Sequence, residues 1–254
     1  MRQYDRPVRR IRRQVADAGA ADADTVDSTL AGSLESLDDA LNYRDWIVDL
    51  AAPHLGERLL EIGAGHGTFT ERFVEFGSVV AVEPGADAAS RLASRFDDVD
   101  AATTIAGVAA DVDDDGFDAA VMINVLEHID DETGVLANLH HRLAADGNLI
   151  LWVPAFMTLF SDFDRRLGHH RRYRRPALEQ LVEANGFEVV TSEYVNLPGW
   201  FSWLLMVRLL NIEPTNPSTI RLFDQLIVPV VRWLEDRVRP PFGQSIFLVA
   251  RRTA

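Results

Sequence analysis

The stretch LLEIGAGHGTFTERF, residues 59–73, sets Gly63, Gly65 and Gly67 at alternate positions between an apolar run and a helical pattern. Leu59, Leu60 and Ile62 suit a buried strand, while Phe69, Phe73 and Phe76 recur at helical spacing, so the glycines join a strand to a helix. Residues without a Cβ let the chain turn sharply and bring N–H groups close to a ligand at the positive end of the helix. The next apolar run, SVVAVEP, ends in Glu83, twenty residues after Gly63. A second parallel strand would place that carboxylate where it can accept from the hydroxyls of a nucleoside sugar. A dinucleotide loop asks for G-x-G-x-x-G/A, and here Thr68 holds the sixth position.

Apolar runs and helical patterns go on alternating beyond this point. Strands are predicted near 58–62, 78–83, 101–105, 118–123, 148–153, 187–195 and 245–250, with helices near 41–55, 67–76, 86–96, 131–144 and 176–185. The fold class is therefore α/β: a doubly wound, mostly parallel seven-stranded sheet with ligands at the carboxyl ends of its strands. Glu61, Glu83, Val108 and Asn124 would lie along that edge. An apolar, proline-punctuated helical insertion, 198–241, precedes the last strand. Residues 40–254 form one domain, because 254 residues at 47% hydrophobic content bury a single large core. Residues 1–39 read as an acidic, poorly ordered leader behind a basic start, six of the first thirteen residues being arginine.

Net charge is −14, and all 25 basic residues are arginine. So acidic a chain disfavours nonspecific nucleic-acid binding. The absence of cysteine rules out disulfides, Cys-ligated metal and a thiol nucleophile, and no metal is expected. No apolar segment follows the basic start as in a secretory signal, and none reaches membrane-spanning length, so the expected location is cytoplasmic.

E-x-G-x-G-x-G at Glu61–Gly67 resembles motif I of the class I S-adenosylmethionine-dependent methyltransferases. NVLEHI, residues 124–129, resembles the matching segment of the small-molecule members, and GHHRRY, residues 168–173, resembles the acceptor-side loop of a subgroup that also shares LEHIDDE and GQSIFLV. The resemblance implies S-adenosylmethionine as cofactor, held by Glu61, Gly63, Ala64, Gly65, Gly67, Glu83, Ala109, Asn124 and Val125. It departs from the pattern after the third strand, where Val108 or Ala109 stands in place of an acidic residue for the adenine. Adenine would then rest on apolar packing and backbone groups unless Asp111 reaches it. NVLEHI does not resemble the N/D-P-P-Y/F segment of enzymes that methylate amino groups of nucleic-acid bases, which argues against a nucleic-acid substrate.

The implied reaction is methyl transfer to a small-molecule or lipid-linked acceptor, at oxygen or carboxyl. His128 is the first candidate for a base, His170 the second, and Tyr173 a positioning group. Six arginines and two histidines within residues 163–175 suit an anionic acceptor, with Arg171 and Arg172 as its clamp, although most of such arginines pair with surface carboxylates. GWFSWLLMVRLL and IRLFDQLIVPVVRWL in the insertion read first as a lid or dimer face whose tryptophans fill core, or else as a membrane contact over 199–234 with Trp200 and Trp203 at the interface. Two rivals stay open: a non-catalytic cofactor-binding scaffold or membrane assembly factor, and an NAD-dependent oxidoreductase.

Overall fold

The computed structural model describes residues 40–210, 212 and 217–253. The proposed leader, 1–39, and part of the insertion lie outside them. Seven strands form one sheet in the order β3-β2-β1-β4-β5-β7-β6, with β1 Arg58–Ile62, β2 Ser78–Glu83, β3 Ala102–Ala106, β4 Phe117–Ile123, β5 Leu143–Pro154, β6 Phe187–Val195 and β7 Ser245–Arg252. All pairings from β3 through β5 are parallel, whereas β7 runs antiparallel to both β5 and β6. Strand order reverses between β1 and β4, so their carboxyl ends flank the crevice that such sheets use for ligands. All seven predicted strands are present. β5 starts five residues earlier than expected, at Leu143.

The side chains explain the layers. Successive strand residues point to opposite faces. Leu60, Ala120 and Met122 enter one core with Leu136 and Leu139 of α4 (Glu132–Arg142) and with Leu178 and Val182 of α6 (Arg175–Ala184). Leu59, Val121 and Trp152 enter the other, against Trp46, Ile47 and Val48 of α1 (Leu41–Ala51), Phe73 of α2 (Thr70–Phe73) and Leu92 of α3 (Ala86–Arg95). α2 is shorter than its apolar spacing predicts, because the glycine loop keeps the chain in turns as far as Phe69.

The insertion opens with α7 (Leu197–Ser202), continues as a π-helical stretch Trp203–Leu209, and then packs α8 (Pro217–Leu226) and α9 (Val228–Glu235) on α1. Val228 and Val231 are buried there. α1 has no N-cap side chain of its own. The buried carboxylate of Asp224 in α8 accepts instead from the Asn42 and Tyr43 amides at 3.0 and 2.8 Å. Glu235 holds the other end, accepting from the Asn196 and Leu197 amides at 2.9 Å each.

Candidate active site

Two groups of polar residues meet the carboxyl edge of the sheet. The first is built on β1 and β2. Gly63, Gly65 and Gly67 have φ of +73°, +58° and +93°, a left-handed run that L side chains rarely adopt. Packing inside the protein sets two of them. A Cβ at Gly63 would sit 2.4 Å from Val125, and one at Gly67 would sit 2.3 Å from the Phe96 ring. The Gly65 amide instead donates to Glu83 Oε2 at 2.9 Å, and Glu83 Oε1 accepts from the Gly85 amide at 2.7 Å. Glu83 is thus fixed at the end of β2 with its further acceptor positions uncommitted by these two bonds. Glu61 is buried at the end of β1, where Thr70 Oγ1 donates to it at 2.6 Å. Burial, reinforced by the Glu83 charge, pushes its carboxyl up to about 8.

Asn124 follows β4 with φ +52°, and its amide bonds the Trp152 carbonyl at 2.8 Å. Asparagine tolerates that conformation better than most residues. Ala64 is buried beside it in the sheet's edge, tied by its amide to Val82. Ala109 is buried in the core, whereas Val108 is half exposed at the rim. Asp111 accepts from the Val108 amide at 2.8 Å, which commits that carboxylate to the turn.

The second group lies beyond β4 and β5. A 3-10 turn, Leu126–His128, buries Glu127 completely and leaves both its carboxylate oxygens without a hydrogen-bond partner. Burial pushes Glu127 up to about 8 and His128 down to about 3, the latter helped by His169 and His170. His169 crosses the His128 ring edge-on, with centroids 4.5 Å apart, and its Nδ1 lies 3.2 Å from Asp164 Oδ1. Asp164 belongs to the short helix α5 (Asp162–Arg166), where a capping box with Ser161 fixes it, and Arg172 Nε donates to it at 2.7 Å. Burial alone would raise the Asp164 carboxyl; the His169 bond and the Arg172 guanidinium hold it well below the usual carboxylate range.

The arginine-rich loop is mostly neutralised from within. Arg172 is buried between Asp164 and the face of Trp203, whose centroid is 4.7 Å away. Arg171 pairs with Glu132 and lies 3.7 Å from Asp130, and Arg175 lies 3.4 Å from Glu179. The buried Tyr173 donates from its hydroxyl to Glu132 at 2.6 Å; burial and that bond raise its pKa. Its backbone runs beside the end of β5, where its carbonyl accepts from the Phe156 amide at 2.7 Å. Phe156 there takes φ +61° and ψ +114°, a strained conformation for a bulky residue, with its ring stacked on Tyr194 at 4.9 Å.

His128 and Arg172 therefore join one buried cluster, and Tyr173 flanks it. His170 is exposed, and its amide bonds the Glu127 carbonyl at 2.8 Å. His169 and Asp164 belong to the cluster and escape sequence reasoning, which offers only the adjacent histidine pair and an acidic residue five positions upstream. Trp203 turns inward, donating to the Leu159 carbonyl at 3.1 Å with Arg172 over its ring, while Trp233 is more than half exposed. A hollow of about 550 Å³ lined by His54, Glu57, Asp118 and Asp146 sits at the amino ends of the strands, remote from both groups.

The chain belongs to a methyltransferase domain family, whose model matches residues 36–192. Its fold is similar to that of 1,6-didemethyltoxoflavin-N1-methyltransferase of Burkholderia thailandensis, solved with 1,6-didemethyltoxoflavin and S-adenosylhomocysteine bound. The TM-score is 0.60 at 20% identity, covering 93% of this chain and 89% of that one. A SAM-dependent methyltransferase of Archaeoglobus fulgidus aligns with TM-score 0.58 and 17% identity over 85% and 94% of the two chains. The cyclopropane synthase MmaA2 of Mycobacterium tuberculosis aligns with TM-score 0.55 and 16% identity over 81% and 82%. No curated protein matches in sequence.

Proposed function

We propose that the protein is an S-adenosylmethionine-dependent methyltransferase acting on a small-molecule or lipid-linked acceptor, at a hydroxyl or carboxyl oxygen. The observation that carries this is Glu83: a carboxylate 8% exposed at the carboxyl end of β2, pinned between the Gly65 and Gly85 amides beside the strand-order reversal. Its two uncommitted acceptor positions suit a pair of ribose hydroxyls. Gly63, Ala64, Gly65 and Gly67 would line the amino-acid end of the cofactor, with Glu61 bracing the loop through Thr70. Asn124, Val125 and Ala109 would border the nucleoside. Bound S-adenosylmethionine supplies a methyl group already activated by its sulfonium, so the chain's own task is to align the acceptor and exclude water.

The acceptor would meet the face formed by Glu127, His128 and His169. A hydroxyl has to lose a proton, and the half-buried imidazole of His128 is the first candidate to receive it, although a pKa pushed down to about 3 by burial makes it a weak base. His170 at the exposed rim is the second, and Tyr173 positions the loop. A carboxylate acceptor needs no base. Arg171 and Arg172 would then favour its negative charge while remaining tied to Glu132 and Asp164.

A lipid-linked acceptor is favoured by the insertion's surface. Leu205, Leu209, Leu222, Leu226, Val230 and Trp233 are each more than half exposed. Large apolar side chains left exposed in such number suit a contact with membrane or another chain. Among the described residues no helix is long and apolar enough to cross a bilayer, so the contact would be peripheral.

Calorimetry with S-adenosylmethionine against NAD tests the cofactor, and transfer of labelled methyl to lipid-linked sugar or polyprenyl phosphate fractions tests turnover. Tight binding without transfer to any fraction would identify a scaffold instead. Preference for NAD would remove the methyltransferase reading altogether.

A further inference from the structure

Glu127, His128 and His169 present one ligand atom each, all within 4.8 Å of one another, and the details behind them follow a pattern. His169 Nδ1 faces the Asp164 carboxylate at 3.2 Å, which leaves Nε2 toward Glu127 Oε1 at 4.0 Å. The Leu167 backbone partners the His128 ring, and one ring nitrogen of His128 lies with the Glu127 and His169 atoms. Asp164 is itself secured by the Ser161 amide and hydroxyl at 2.8 and 2.7 Å and by Arg172. Each imidazole thus has a partner outside the trio, and the third member is a fully buried carboxylate whose two oxygens have no hydrogen-bond partner.

A buried carboxylate without a partner is costly to keep ionised. A proton on Glu127 removes its charge but gives no reason for two imidazole nitrogens to stand within 4.8 Å of its carboxylate. Histidines that hold a metal have this outer support from a carboxylate or backbone carbonyl. We propose that Glu127, His128 and His169 bind a divalent cation of the zinc class at the acceptor end of the site. Two imidazole nitrogens and one carboxylate form the donor set of zinc and non-haem iron centres that keep an open coordination position. The open position suits an acceptor oxygen. Resting on the proposed function above, the cation would lower the pKa of that hydroxyl so that its proton passes to solvent at the exposed His170 rim instead of to His128. The oxygen then takes the methyl group as the sulfur–methyl bond of the sulfonium breaks to leave the neutral thioether.

The test uses the full-length protein, stripped with a chelator and dialysed against zinc alone. Wild type should retain one zinc per chain, and cobalt in its place should give a visible absorption band. Glu127→Gln and His169→Ala should each bind at least about 10-fold more weakly, and Asp164→Asn, which removes the charged support behind His169 along with the countercharge of Arg172, about 10- to 100-fold more weakly. His141→Ala, outside the cluster, should bind like wild type. Wild-type retention no greater than that of His169→Ala, or undiminished binding by Glu127→Gln, overturns the site. If the variants fail to fold, substoichiometric zinc in wild type with no cobalt band still overturns it. Calorimetry on the stripped protein separates the two proposals: S-adenosylmethionine binding without zinc binding sinks only the metal site, and zinc binding without cofactor binding sinks only the methyltransferase reading.

Discussion

Glu83 shows how far a single residue can be read before the fold is known. Its distance from Gly63 marks it as a candidate sugar ligand, and the structure adds what holds it: amides from Gly65 on one side and Gly85 on the other. Glu83→Ala should weaken S-adenosylmethionine binding by about 1–3 kcal/mol through loss of a charged acceptor, with Glu83→Gln intermediate. An unchanged dissociation constant for the alanine variant would refute the ribose role. The glycines are legible in position and only partly in cause. Gly63 and Gly67 are demanded by Val125 and Phe96, which no local pattern connects to them. His169 and His170 are chemically identical neighbours. The chain direction after Gly168, at φ +79°, decides which one meets His128, and sequence carries no sign of it.

At the scale of elements, strands and core helices follow from apolar periodicity, since each must bury one stripe or face. The insertion is different. Its apolar residues are visible in sequence, but the side facing α1 is fixed by Asp224, Val228 and Val231. Asp224→Ala should leave two amides at the start of α1 without acceptors and cost about 1–3 kcal/mol. The measurable outcome is a lower urea midpoint at unchanged slope, with Asp224→Asn recovering part of the loss. A midpoint equal to wild type would mean that Asp224 does not anchor the insertion. The arginine-rich loop shows the same division: its charge is plain in sequence, while its partners Asp164, Glu132 and Glu179 are distributed over three elements.

Buried ionisable groups on both sides of the site set a pH response for the whole molecule. Glu61 and Glu127, ordinarily near 4.5, are pushed up to about 8, so the folded chain keeps protons that the unfolded chain releases; stability falls as pH rises across that window. His128, ordinarily near 6.5 and pushed down to about 3, acts in the opposite sense, and stability rises with pH between those values. Above 6.5 only the carboxyl effect remains. The urea midpoint of the metal-stripped protein should therefore decline from pH 6.5 to about 8, less steeply in Glu127→Gln. A flat or rising midpoint in wild type would show that these carboxyls are ionised in the fold. Sequence alone determined the α/β class and the order of strands along the chain, because apolar periodicity is a local property that survives without a fold. Tertiary structure alone decided which polar groups are taken out of water together. Glu127, His169 and Asp164 become a cluster only when the turn after β4 and the segment that follows β5 are folded over one another, and desolvation, which gives them their chemistry, is a property of that packing.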